Sequence, residues 1–180
     1  MGRRRCSVCS TFFSRVEPEE AEAMNLRDQV DVGRSPEVVW RFLEDPNNLP
    51  AWNPNVQRVG PITWGAPAKG FRYRATYVLR GNANEMDAEI DEYQPPVRLA
   101  VRVSGGKMPK GAFAREVYDL TPIPGGTRLV QTIELGRSGI PLVFRALMWF
   151  IQRFGKPTGK TFLATFKELV EEGGAPDRQV

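Results

Sequence analysis

The chain has 180 residues, of which 41% are hydrophobic and 26% are charged, and its formal net charge is +4. This composition is typical of one globular domain that is large enough to enclose a cavity, and it excludes wholesale disorder. Histidine is absent, so the most frequent general base and metal ligand is missing. We expect neither a metal nor a cofactor.

Residues 1–24 are expected to form a poorly ordered N-terminal tail, because a basic cluster and then an acidic stretch occur without hydrophobic periodicity. Cys6 and Cys9 form a CxxC pair, but a structural zinc site needs four ligands and the chain has no further Cys or His. The residues after the basic start are too polar for a signal peptide, which favours a cytoplasmic protein. Met24 is an alternative start of the physiological chain.

Alternating residues predict a first strand over 26–32, followed by a short helix. Ser35 is typical of a helix N-cap and Pro36 of the first helical position, and the apolar residues of the following VVWRFL form one face. Asp45 and Pro46 predict the end of this helix. The sequence NNLPAWNPN then predicts a proline-rich corner.

Six further segments alternate with a period of two residues and predict six antiparallel strands. Their expected ranges are 56–64, 71–80, 85–91, 97–103, 111–120 and 127–135. In FRYRATYVLR the arginines lie opposite the aromatic residues, and in EMDAEID the carboxylates lie opposite the apolar residues. The outer arginines and outer carboxylates of these two strands are therefore expected to pair.

The last segment, 141–172, changes to helical spacing on both sides of GKPTGKT. GKPTGKT is one residue shorter than a GxxxxGK[ST] phosphate loop, and Pro157 removes a backbone donor, so we interpret it as a break in a long helix. The apolar run at 140–151 contains Pro141 and Arg145 and is shorter than the ~20 residues of a membrane span. The basic residues are scattered among acidic ones, so no nucleic-acid partner is expected.

Four stretches in this order resemble the polyketide cyclase/dehydrase family of the START-like (SRPBCC) superfamily. They are SPEVVWRFLEDPNNLPAWNPNV, EYQPPVRLAVRV, YDLTPIPGGTRLVQTIEL and TFKELVEE. The resemblance implies an α+β helix-grip fold, in which a curved antiparallel sheet of about seven strands wraps around a long C-terminal helix. It places a START-like ligand-binding domain at 25–172, followed by a C-terminal tail at 173–180.

The family fold also implies a hydrophobic cavity between sheet and helix, and aromatic and apolar side chains suit its wall. We expect Trp52 near the mouth of this cavity, Phe144 and Met148 on the helix, and the remaining residues on the sheet. The candidate ligand-binding residues are Trp52, Phe71, Tyr73, Tyr77, Met86, Val101, Arg115, Tyr118, Phe144 and Met148. An apolar stripe on a strand is equally typical of plain core, and Trp40 is interpreted as packing.

The strand at 111–120 allows two phases, which differ in the charge that enters the interior. One phase turns Arg115 inward with Val117, and the other turns Glu116 inward with Tyr118 and Leu120. A charge in either position needs a partner or a polar ligand group.

The leading hypothesis is a protein that binds an apolar small molecule, a lipid or a polyketide-like compound, in the cavity. The first alternative is a polyketide cyclase or aromatase, because the resemblance covers enzymes as well as binding proteins. Proton transfer and stabilisation of an enolate oxygen would then fall to cavity tyrosines or arginines, without an assigned catalytic pair. These candidates are Tyr73, Tyr77, Tyr118, Arg102 and Arg115. The second alternative is a regulator or toxin-like protein that acts on a macromolecule.

Overall fold

The fold is built on one curved antiparallel sheet of seven strands. The computed structural model describes residues 24–79, 81–135 and 161–173. The strands are β1 (Met24–Val32), β2 (Val56–Pro61), β3 (Arg72–Leu79), β4 (Asn82–Gln94), β5 (Arg98–Ser104), β6 (Phe113–Ile123) and β7 (Gly126–Leu135). Their spatial order is β1-β7-β6-β5-β4-β3-β2, so every neighbouring pair except β1 and β7 is consecutive in the chain.

The connection from β1 to β2 carries the short helical elements. Helix α1 (Pro36–Leu43) begins after Ser35, whose backbone is extended, and has a proline in its first turn as the sequence predicts. A 3-10 turn (Pro46–Asn48) starts at Asp45, whose side chain accepts a hydrogen bond from the Asn47 amide at 3.0 Å. It leads directly into α2 (Leu49–Trp52). The proline-rich corner is therefore partly helical.

Helix α3 (Phe162–Glu171) follows the last strand in the described residues. Thr161 is its N-cap, because its hydroxyl accepts a hydrogen bond from the Ala164 amide at 3.2 Å. At the other end, the Glu171 carboxylate accepts a hydrogen bond from the Gly33 amide at 2.7 Å, which ties α3 to the turn after β1. The predicted helical stretch 141–160 with most of GKPTGKT, and nearly all of the predicted tail 1–24, lie outside the described residues.

The pairing of β3 with β4 confirms the predicted charge pattern on the outer face of the sheet. Arg74 lies opposite Asp87 and Arg72 opposite Glu89. The shortest N–O distances of these ion pairs are 2.7 Å and 4.0 Å. The aromatic residues of β3 consequently face the interior.

The length of β4 differs from the prediction, because the strand extends beyond 85–91 at both ends. Its register with β5 shifts between Ile90 and Glu92. This bulge lets Asp91 and Glu92, although adjacent, both reach Arg115 on the outer face. Strict alternation of inward and outward side chains does not predict the extra residue that the bulge inserts into β4.

Candidate ligand-binding face

The inner face of the sheet consists of the side chains that alternate toward the helices. Part of it is solidly packed under α2 and α3. Phe166 of α3 is 0% exposed and contacts Phe42 and Trp52 edge-to-face, at ring-centroid distances of 5.2 Å and 5.5 Å. Trp52 in turn lies 6.5 Å from the Tyr118 ring. We call this region the packed half.

The position of Trp52 corrects one expectation. The sequence suggests that Trp52 lies near the mouth of a cavity, but its side chain is only 2% exposed. The short helix α2 turns the indole toward α3, and Phe166 and Tyr118 enclose it. Trp52 is therefore a core residue, and among the described residues its ring contact with the polar line of the candidate site is the one with Tyr118.

The other part of the inner face lies toward the β3–β4 and β5–β6 turns, and its inward-facing side chains keep accessible surface. We call it the accessible half. Its half-buried residues are Tyr77, Asn84, Met86, Ala114, Glu116 and Ile133. Cross-strand pairing brings Glu116 opposite Val101 on one side and Ile133 on the other, so its carboxyl projects from an apolar wall.

A line of three polar side chains marks the boundary between the two halves. The Gln131 amide donates a hydrogen bond to the Tyr118 hydroxyl oxygen, with a nitrogen–oxygen distance of 3.0 Å. The Tyr118 hydroxyl donates to Oε2 of Glu116 at 2.7 Å. On the far side of Gln131, β1 contributes Asp28 as its cross-strand partner. Within the part of the chain that the structure describes, the network therefore runs from Gln131 through Tyr118 to Glu116.

Burial controls the protonation of this cluster. It raises the pKa of the Glu116 carboxyl, and the hydrogen bond from Tyr118 acts in the opposite direction. Burial and the nearby Glu116 carboxyl raise the pKa of the Tyr77 hydroxyl. The pKa values of the Tyr73 and Tyr118 hydroxyls are also raised, chiefly by burial. The three phenols therefore stay protonated at neutral pH, and the uncharged form of Glu116 persists to higher pH than that of an exposed glutamate.

The structure decides between the two phases of β6 in favour of Glu116. Arg115 lies on the outer face, where it contacts Asp91, Glu92 and Glu134 at 2.8 Å, 2.9 Å and 3.3 Å. Its inclusion among the candidate ligand-binding residues is corrected accordingly, because its charge is matched on the side of the sheet away from the interior. Carboxylates on β4 and β7 supply these partners.

Arg102 also lies on the outer face, with its guanidinium 4.0 Å from the centre of the Phe113 ring. A depression beside it is lined by Arg72, Asp87, Glu89 and Ser104 among others. Such a charged and open surface does not suit an apolar ligand. Neither Arg102 nor Arg115 is placed to act on a molecule bound at the inner face.

The other candidate residues fall into three groups. Phe71, Tyr73, Val101 and Tyr118 face inward and are buried. Tyr77 and Met86 face inward and are half-buried. Phe144 and Met148 lie outside the described residues, so their assignment stays a prediction.

Sequence reasoning did not select Gln131, which completes the polar line. The signal was present, because Gln131 stands between Leu129 and Ile133 at the inward positions of β7. A polar residue that interrupts an apolar alternation marks a buried hydrogen bond. Glu116 was identified only as one of two alternatives.

Comparison with known proteins places the chain in a family. The family model described as "Polyketide cyclase / dehydrase and lipid transport" matches residues 23–171. The chain belongs to this family. The uncharacterized protein Rv2574 of Mycobacterium tuberculosis is similar to it, with 29% identity over 150 residues, which cover 77% of this chain and 87% of that protein.

Solved structures share the family's START-like fold. Protein TTHA0849 from Thermus thermophilus matches with a TM-score of 0.64 and 19% identity, covering 84% of this chain and 100% of that chain. A START superfamily protein from Mycobacterium smegmatis matches with a TM-score of 0.60 and 14% identity, covering 83% and 99% respectively. At these identities the likeness concerns the fold, and it confirms the architecture expected from the sequence.

Across 24–79, 81–135 and 161–173, no group of three or more Cys, Asp or Glu side chains is arranged to hold a metal ion. None of the helices described in these ranges has the length and apolar character needed to span a membrane.

Proposed function

We propose that the accessible half of the inner face forms the wall of a binding site for a hydrophobic small molecule, such as a lipid or a polyketide-like compound. The observation that carries this proposal is the half-burial of inward-facing Tyr77, Met86 and Ile133. Protein cores are close-packed, so apolar side chains that face inward and keep accessible surface favour a hollow over a filled interior. The family description, which includes lipid transport, supports the same class of ligand.

The residues of this wall suit a mostly apolar ligand with one polar group. Met86 is flexible and fits irregular apolar shapes, while Tyr77 offers a ring and a hydroxyl. Tyr73 and Val101 lie deeper, since they are 5% and 6% exposed. We assign ligand contact first to Tyr77, Met86 and Glu116, with Tyr73 and Val101 behind them.

Nile red, an uncharged dye that fluoresces in apolar sites, provides the test. The wild-type chain should bind it, and Ala114→Trp should weaken binding at least about tenfold, because the indole fills the accessible half and removes apolar contact area. Thr121→Trp is the matched control, since Thr121 lies on the same strand but is exposed on the outer face. It should bind the dye like wild type.

A filled interior would give the opposite pattern. Nile red would not bind the wild-type chain, and Ala114→Trp would lower the unfolding free energy by about 1–3 kcal/mol through overpacking. Native mass spectrometry before and after solvent extraction adds a second measurement. A co-purifying lipid or polyketide would support the proposal.

The pairing of Glu116 with Tyr118 at 2.7 Å favours a second candidate, cyclisation of a polyketide chain. In that reaction the ionised Glu116 would take a proton from the carbon beside a carbonyl, and a phenol would donate a hydrogen bond to the enolate oxygen. Turnover of a polyketide analogue that is lost in Glu116→Gln while binding persists would support the enzyme. Binding without turnover supports the carrier.

A further inference from the structure

We propose that this site selects uncharged ligands that present a hydrogen-bond-accepting oxygen, such as a ketone or ester carbonyl, and rejects carboxylates, with Glu116 as the group that recognises the oxygen. The inference rests on the proposed function and specifies the chemistry of its ligand.

Charged side chains are distributed unevenly between the two faces of the sheet. The arginines of the described strands alternate with inward-facing residues and lie on the outer face. They are Arg27, Arg58, Arg72, Arg74, Arg98, Arg102, Arg115 and Arg128. On the inner face, these strands carry the carboxylates Asp28 and Glu116 and no lysine or arginine.

An anionic ligand would therefore meet the wrong charge on this wall. A carboxylate transferred from water to an apolar site costs several kcal/mol unless a cation or several donors receive it. The inner face of the described strands offers no cation, and Glu116 would add repulsion whenever it is ionised. An uncharged polar group avoids both costs.

The hydrogen bonds around Glu116 leave one of its carboxyl oxygens available to a ligand. Tyr118 donates to Oε2 and itself accepts from Gln131, so Oε2 serves as an acceptor in this network. A proton on Oε1 keeps the acceptor role of Oε2 and lets the neutral carboxyl donate a further hydrogen bond. Among the described residues, Oε1 receives no hydrogen bond.

The surroundings of Glu116 limit the ligand to a small polar group in an apolar molecule. Val101 and Ile133 flank it across the neighbouring strands. The Tyr77 hydroxyl, which is influenced electrostatically by Glu116, is a second donor within the accessible half. Burial raises the pKa of the Glu116 carboxyl, so its protonated, hydrogen-bond-donating form persists to higher pH than in an exposed glutamate.

Displacement of Nile red from the full chain at about pH 6, where dodecanoate is still ionised and a carboxyl with a raised pKa keeps more of its proton, tests the inference with three probes of similar hydrocarbon length. Tridecan-2-one carries only an acceptor oxygen, dodecanoate is an anion and dodecylamine is a cation. Tridecan-2-one should displace the dye at a concentration at least about tenfold lower than dodecanoate does.

Two substitutions separate hydrogen bonding from shape. Glu116→Leu should weaken the binding of tridecan-2-one about fivefold, because one neutral hydrogen bond is lost. The difference in affinity between tridecan-2-one and dodecanoate should therefore become smaller. Glu116→Gln keeps a donor and an acceptor in similar positions and should restore ketone binding to within about twofold of wild type. Melting temperature and far-ultraviolet circular dichroism serve as controls for the fold of each variant. The Nile red affinity of each variant is measured separately, so that displacement is converted into the dissociation constant of each probe.

The possible failures are distinguishable. Equal binding of dodecanoate and tridecan-2-one, or unchanged ketone affinity in Glu116→Leu, would overturn the inference and leave the hydrophobic site intact. Preference for dodecylamine that disappears in Glu116→Gln would also overturn it, because the ionised carboxylate would then recognise a cation. Failure of the dye and of all three probes to bind, checked by calorimetry, would overturn the proposed function as well.

Discussion

Replacement of Phe166 by alanine is the most direct test of the packed half. The side chain is 0% exposed and makes two edge-to-face aromatic contacts, with Phe42 and Trp52. Loss of a buried phenylalanine costs about 3–5 kcal/mol, and each aromatic pair adds about 0.5–1.5 kcal/mol beyond the buried area. We expect Phe166→Ala to lower the unfolding free energy by about 5 kcal/mol, near the upper end of single substitutions.

Urea unfolding followed by far-ultraviolet circular dichroism measures this loss. A change of this size corresponds to a fall in melting temperature of about 10–20 °C for a chain of this length. Phe162→Ala is the control on the same helix. Because Phe162 is 38% exposed, its loss should lower the unfolding free energy by less, about 1–2 kcal/mol. Phe166→Leu keeps most of the volume and should cost about 2 kcal/mol through its lost ring contacts.

Equal destabilisation by Phe166→Ala and Phe162→Ala would contradict close packing around Phe166. A cost of Phe166→Ala below about 1 kcal/mol would also contradict it, because the site would then close around the missing ring or not be close-packed. Either result would remove the distinction between the packed and accessible halves on which the proposed site depends.

Three further predictions concern protonation, backbone contact and surface charge. The folded-state pKa of the Glu116 carboxyl is raised, so the stability that Glu116 contributes is present below its unfolded pKa and is lost as pH rises through the folded pKa, at up to about 1.4 kcal/mol per pH unit. Glu116→Gln should remove this loss when the unfolding free energy is measured by urea titration at a series of pH values. Plots of unfolding free energy against pH that run parallel for wild type and variant would contradict the prediction. Gly126→Ala should lower the unfolding free energy by more than about 2 kcal/mol, because the added Cβ would overlap the Val32 carbonyl oxygen. Gly60→Ala is the control, since a Cβ there meets open space, and it should change the unfolding free energy by less than about 0.5 kcal/mol in the same assay. A double-mutant cycle on Arg74 and Asp87, whose side chains are 52% and 38% exposed, should give a coupling of about 0.5 kcal/mol that weakens with salt; a coupling above about 2 kcal/mol that persists at high salt would contradict this.

The arrangement of strands and the first helix was determined largely by local sequence. Strict alternation in FRYRATYVLR and EMDAEID fixes which side chains share a face, and opposite charges then fix the register of β3 against β4. Ser35 and Pro36 define the start of α1 by backbone chemistry alone. The order of such elements, with the family resemblance, was sufficient for the START-like fold.

The contents of the interior needed the tertiary structure. Residues 113–120 alternate equally well in two phases, and only pairing with β5 and β7 turns Glu116 inward while Asp91, Glu92 and Glu134 hold Arg115 outside. The sequence suggested that Trp52 lies at the mouth of a cavity, whereas the structure buries its indole against Phe166 of α3. Periodicity acts between neighbours along the chain, whereas burial depends on distant elements that cover each face, so the sequence determined the sheet and the fold decided what its inner face can bind.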